Sequence, residues 1–163
     1  MKKEDKQQFT LRISQANPTE LVVILYEMLL CYLEDAKEAL QPREGSLGDQ
    51  ERFHGAVRNA RGCLNELLCS LDLKYEPAPT LQRLYMFCIR RLARGEQRLD
   101  AGLLDEIKRV IVPLCDAYRE LAKQNSTGPV MKNSQTVIAG LTYGRNTLTE
   151  NLADQGRSRG ILA

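Results

Sequence analysis

The side chains of this 163-residue sequence best able to do chemistry are five cysteines, one histidine and a run of arginines. Cys31, Cys63, Cys69, Cys88 and Cys115 could serve as metal ligands, redox partners or nucleophiles. A zinc site asks for cysteines or histidines paired at close spacing, but Cys63 and Cys69 stand six positions apart and His54 is the lone imidazole. Each cysteine falls within an apolar helical pattern, so buried free thiols are expected. Catalysis would call for a nucleophile beside a base, or for paired carboxylates. Neither is visible: His54 sits among Glu51, Arg52 and Arg58 on a polar face, and no Glu-x-x-His pair could build a di-metal site in a helical bundle. The expectation is a protein that is not an enzyme and carries no cofactor or metal. Arg83, Arg90, Arg91, Arg94 and Arg98 make a basic patch suited to acidic groups or a phosphate, with a solvated helix face as the plainer reading.

Charge and composition narrow the partners. Twenty-three Lys and Arg against 21 Asp and Glu give a net charge of +2, too little to gather nucleic acid or anionic membrane without specificity. No stacking-aromatic array supports nucleic-acid binding either. The opening residues are charged and polar, unlike a signal peptide, and no apolar run is long enough to span a membrane, so a cytoplasmic protein without membrane insertion is expected. Hydrophobic residues make up 43% of the chain and tryptophan is absent, which predicts one soluble domain with a mainly aliphatic core.

Four helical patterns would position these residues. Asn17, Pro18 and Glu20 have the types and spacing of a capped helix start. The helix they open carries Leu21, Leu25, Met28, Tyr32, Ala36 and Ala39 at helical spacing and stops before Gln41 and Pro42. Val22, Val23, Ile24, Leu29 and Leu30 are apolar too, so this helix is either central in a bundle or partly reserved for a partner. After a loop, a second helix starts near Asp49 with Phe53, Val57, Ala60, Leu64, Leu67 and Leu71 on one face, and its Gly55 and Gly62 suggest close helix approach. Pro77 and Pro79 precede a third helix with Leu81, Leu84, Tyr85, Cys88, Ile89 and Leu92, ending at Gly95. Asp100 caps a fourth, with Leu104, Ile107, Ile111, Leu114, Tyr118 and Leu121 on its stripe and Pro113 kinking its outer face. No alternating strand pattern competes. The fold expected is all-α: an antiparallel four-helix bundle over 18–124, an N-terminal extension or lid over 1–17, and an extended, low-complexity C-terminal tail over 125–163. The tail is too poor in apolar residues to form a core, yet its strip 134–144 holds enough of them to dock on a neighbouring surface.

Several segments, in order, resemble the FliS family of flagellin chaperones. Gln15, Ala16, Asn17, Pro18, Thr19, Glu20 and Leu21, followed by Ile24, Leu25, Tyr26 and Glu27, are similar to that family's entry into its first long helix. Leu64 to Asp72 is similar to its second-helix ending, and Leu84, Tyr85, Met86, Phe87, Cys88, Ile89, Arg90, Arg91 and Leu92 to its Leu-Tyr-x-Tyr-x-x-Arg-Arg-Leu motif. The resemblance covers about residues 8 to 124. The family's usual N-terminal tyrosine is replaced here by Phe9 as the nearest aromatic, and the tail exceeds the family pattern.

The resemblance implies a cytosolic export chaperone that binds the disordered C-terminal segment of flagellin, prevents its premature polymerisation and helps deliver it to the flagellar export apparatus. Such a client gains affinity by laying apolar faces into grooves between helices. The candidate flagellin-binding residues are Leu25 and Tyr26, Leu64 and Leu68, and Tyr85 and Ile89, with Phe9, Leu11 and Ile13 as a lid; core packing is the plainer role for each. A homodimer stays open, as does the alternative of a helical-bundle adaptor or dimerisation module with another protein client. The tail could cover the client groove.

Overall fold

Asn17 sets the main helix start as its type predicts. Its side chain accepts from the Glu20 N–H at 2.9 Å and the Glu20 carboxylate accepts from the Asn17 N–H at 2.8 Å, a complete capping box with Pro18 at the first helical position. In this computed structural model residues 3–41, 49–125 and 128–131 are described. All regular structure among them is helical: α1 (Lys3–Gln15), α2 (Pro18–Leu40), α3 (Gln50–Cys69), α4 (Ala78–Arg98) and α5 (Ala101–Gln124). The loop expected at 42–48 and the tail from 132 onward, with its apolar strip, lie outside the described residues. Asp100 accepts from the Gly102 N–H at 2.8 Å as the expected cap, and Asp49, where the second helix is expected to start, caps it by accepting from the Arg52 N–H at 2.9 Å. No described helix is long and apolar enough to cross a membrane.

α2 packs against α1, α3 and α5, and α4 packs against α3 and α5. Having three neighbours explains why α2 is apolar nearly all round. Of the stripe expected on it, Tyr32, Ala36 and Ala39 are buried while Leu21, Leu25 and Met28 are only half-buried, and Tyr26, Leu29 and Leu33, off that stripe, lie deepest beside Ala36. The main core joins them to Phe53, Val57, Ala60, Leu64 and Leu67 of α3, Tyr85, Cys88 and Leu92 of α4, and Leu104, Ile107, Ile111 and Cys115 of α5. Ion pairs tie the faces together: Glu27 to Arg119, Glu34 to Lys108 and Lys37 to Asp105 between α2 and α5, and Arg91 to Glu106 between α4 and α5.

Three local expectations are corrected. The third predicted helix does not end at Gly95 but runs to Arg98, with Leu99 in the left-handed region at φ 52° as its cap. Gly95 is instead buried where α5 begins; a Cβ there would sit 3.4 Å from Leu104 Cδ2 and 3.5 Å from Leu103 Cβ. The close approach suggested at Gly55 and Gly62 is absent, since a Cβ at either would meet nothing within 4 Å. Cys63, Cys88 and Cys115 are buried free thiols, but Cys69 is exposed at the end of α3 and Cys31 is half-buried. Within the stretch 1–17 read as an extension or lid, Lys3–Gln15 forms α1.

Candidate functional site

Tyr26 stands at the junction of α2, α4 and α5. Its hydroxyl shares a hydrogen bond with that of Tyr85; the two rings lie 6.3 Å apart, and the Tyr118 ring meets Tyr26 edge-on at 5.6 Å. This packing satisfies two polar groups inside an apolar core, where an unpaired hydroxyl would be costly. Burial pushes the Tyr85 phenol up to about 12, even though its bond to Tyr26 acts the other way. It raises Tyr26 further still, with help from Tyr85. Both therefore stay neutral near pH 7. Burial likewise raises the Cys63 thiol to about 11 and the Cys88 thiol to about 12, leaving little thiolate to act as a nucleophile.

The expected site residues separate by depth. Tyr26 and Leu64 are 0% exposed and Tyr85 is 1% exposed, so each could reach a partner only through the packing it supports. Leu25, Leu68 and Ile89 are half-buried along the margin of the same core and retain surface of their own. On α1, Phe9 is turned inward, Ile13 is half-buried, and Leu11 keeps 37% of its surface in solvent. α1 thus splits the three lid candidates between its two faces.

α1 covers part of α2 through a small, separate cluster. Phe9 and Ala16 pack with Ile24, and Ile13, Leu21, Met28 and Cys31 line the edge. An ion pair reinforces it: Arg12 reaches Glu27 at 2.5 Å, and its guanidinium lies 5.8 Å from the Phe9 ring centre. Glu27 also accepts from Arg119 Nη2 at 3.0 Å and Nε at 3.2 Å, so one carboxylate joins α1, α2 and α5. Burial works to raise this carboxyl, but the two guanidinium groups outweigh it and hold it below its usual range. A recess beside this junction is lined by Arg12, Glu20, Val23, Glu27, Ala122 and Lys123 among others, and a second by Arg12, Gln15, Ala16, Glu20 and Ile24.

Sequence reasoning missed Glu27, Arg12, Arg119 and Tyr118 as parts of the site. Arg12 and Arg119 meet Glu27 across 15 and 92 positions, and such pairings leave no local signal. The undersurface of α1, Ile24, Met28 and Cys31, could have been found from the surplus apolar residues of α2. No group of three or more His, Cys, Asp or Glu side chains among the described residues is placed to hold a metal ion. What the arrangement offers is apolar surface on α2 beneath α1, framed by charged side chains that can set the register of a bound chain.

A family model described as flagellar protein FliS matches residues 1–125. The flagellar secretion chaperone FliS of Bacillus subtilis (strain 168) is 25% identical over 108 residues, which cover 66% of this chain and 77% of the relative. The family match takes in all five helices and the α1–α2 junction: the chain belongs to the FliS family.

Proposed function

We propose that this chain is a cytoplasmic export chaperone without catalytic chemistry. It binds the disordered C-terminal segment of flagellin, keeps it from polymerising early and presents it to the flagellar export apparatus. Membership of the FliS family and the secretion-chaperone name of its Bacillus subtilis relative support the reading. The working framework is an antiparallel four-helix bundle of α2 to α5 with α1 as a lid. It is supported by the order of the pairs Glu27 with Arg119, Glu34 with Lys108 and Lys37 with Asp105, in which one number rises as the other falls.

The observation that carries the proposal is the apolar face of α2 that α1 covers. A small apolar cluster and the Arg12–Glu27 ion pair join α1 to α2 over Ile24, Met28 and Cys31. An apolar face covered by one short helix can exchange it for a client's, because one amphipathic helix takes the place of another. Leu25, Leu68 and Ile89 extend the client surface, Leu11 and Ile13 contact the client as α1 shifts, and Phe9 is the displaced anchor. Tyr26, Leu64 and Tyr85 hold the surface in shape from below.

The test is calorimetric titration of the full chain with a peptide of about the last forty residues of the host's flagellin, a length able to occupy more than one groove. Binding is expected at one to one, with micromolar or tighter affinity and a negative heat-capacity change from apolar burial. Ile24→Asp should weaken it at least tenfold by placing a charge on the face. No binding with either the full chain or one lacking 126–163 would sink the proposal and favour an adaptor with a different client.

A further inference from the structure

Most arginines of α4 are left without a carboxylate partner among the described residues, whereas many cations elsewhere have one. Arg12, Lys37, Arg52, Arg61, Lys108, Arg119 and Lys123 each meet a carboxylate. On α4, Arg91 does so, bonding Glu106 at 3.0 Å with its guanidinium 5.1 Å from the Phe87 ring centre. Glu96, the one acid of this helix, is already taken by Arg61 and His54 of α3. Arg83, Arg90, Arg94 and Arg98 meet no carboxylate among the described residues, and Arg83 only bonds the Pro79 carbonyl one turn back.

At 3.6 residues per turn these four fall on one exposed face, and the last three follow each other at four-residue intervals, the spacing at which like charges repel. A solvated face has no need of such an arrangement, since a glutamate at any of these positions would relieve it. Met86, 39% exposed, flanks the stripe on one side and half-buried Phe87 on the other.

We infer that this face of α4 is a second docking surface, and that its occupant is an acidic amphipathic helix from a partner protein. Carboxylates at four-residue intervals on such a helix match the spacing of Arg90, Arg94 and Arg98, and an apolar residue beside them covers Met86. The chain's own tail is a poor occupant: residues 132–163 contain Lys132, Arg145, Arg157 and Arg159 against Glu150 and Asp154, a net +2. A phosphate backbone would match the charge but make no use of Met86, and the one aromatic beside the stripe is already occupied by Arg91.

The inference goes beyond client binding and does not depend on it. The full chain is titrated, by fluorescence anisotropy at low and moderate salt, into three probes: a labelled helical peptide with glutamates every fourth residue and leucines alongside, a single-stranded oligonucleotide of twenty thymidines, and phosphatidylserine vesicles. The acidic peptide should bind most tightly. Arg90→Gln with Arg94→Gln should weaken it at least tenfold, Met86→Ser should weaken it severalfold, and the off-stripe Arg58→Gln should change nothing. All these positions are exposed, so the variants should keep the parent's helical circular dichroism and its affinity for the flagellin peptide. Loss of acidic-peptide binding alone separates this surface from the client site. Equal peptide binding by parent and double variant, or preferred binding of the oligonucleotide or the vesicles, overturns it.

Discussion

Two tyrosine hydroxyls inside an aliphatic core depend on each other. Tyr26→Phe removes one oxygen and little volume, but strands the Tyr85 hydroxyl where no water reaches it. Leaving a buried group unpaired costs about 1–3 kcal/mol, whereas removing both partners restores a uniformly apolar contact. In urea unfolding, Tyr26→Phe and Tyr85→Phe should each destabilise by that order, and the double variant by clearly less than their sum. Strict additivity would mean that the hydroxyls do not rely on each other. Both tyrosines are legible in the sequence, because they stand at helical spacing within a family motif, but that spacing alone puts them on the client surface. Spacing tells which face a residue occupies, not how many neighbours close over that face. The depth of Leu64 is hidden for the same reason, while Leu25, Leu68 and Ile89, at the margins of the same stripes, keep surface.

Helix starts are the most legible features, since a cap is a contact between residues two or three positions apart. Asn17, Asp49 and Asp100 all act as their types predict. α1 is not legible as a helix, because Lys3–Gln15 offers only Phe9, Leu11 and Ile13 as large apolar residues and depends on α2 for its packing. The end of α4 is misplaced by sequence reasoning because a glycine near a helix end need not be its cap. Gly95 is buried against the start of α5, and the left-handed cap falls to Leu99. Two substitutions exploit this. Gly62→Ala should add about 1 kcal/mol, since Gly62 lies in the exposed body of α3 with open space around its missing Cβ. Leu99→Gly should add a similar amount by removing a strained left-handed leucine, about 1–2 kcal/mol by the usual cost of that conformation. Thermal unfolding should register each as a rise in Tm of a few degrees. A fall for Leu99→Gly would mean that the leucine side chain contributes more by contact than its backbone costs.

At the scale of the whole molecule, the end of the family-matched region meets the junction of α1 and α2. Asn125 donates through its side chain to Thr19 Oγ1 at 2.7 Å, its carbonyl accepts from the Asn17 side chain at 3.4 Å, and the Val130 N–H donates to the Ala16 carbonyl at 3.0 Å. None of this is legible in the sequence, because the partners lie more than a hundred positions apart and the tail's composition argues only against a core of its own. The chain leaving α5 therefore fastens the corner on which α1 turns into α2, so the start of the tail and α1 share one support. Deleting 128–163 removes the Val130 donor while leaving α5 and Asn125 in place. One net hydrogen bond is worth about 0.5–1.5 kcal/mol, so α1 amides should exchange with deuterium roughly two- to tenfold faster, while the buried α5 amides around Ile107 and Ile111 stay as protected as before. With α1 loosened, the flagellin peptide meets less competition for the face around Ile24 and should bind more tightly by a similar factor. Faster α1 exchange without tighter binding would separate the strap from the lid and show that α1 does not cover the client's face. Unchanged α1 exchange would mean that the Val130 bond does not support the corner at all.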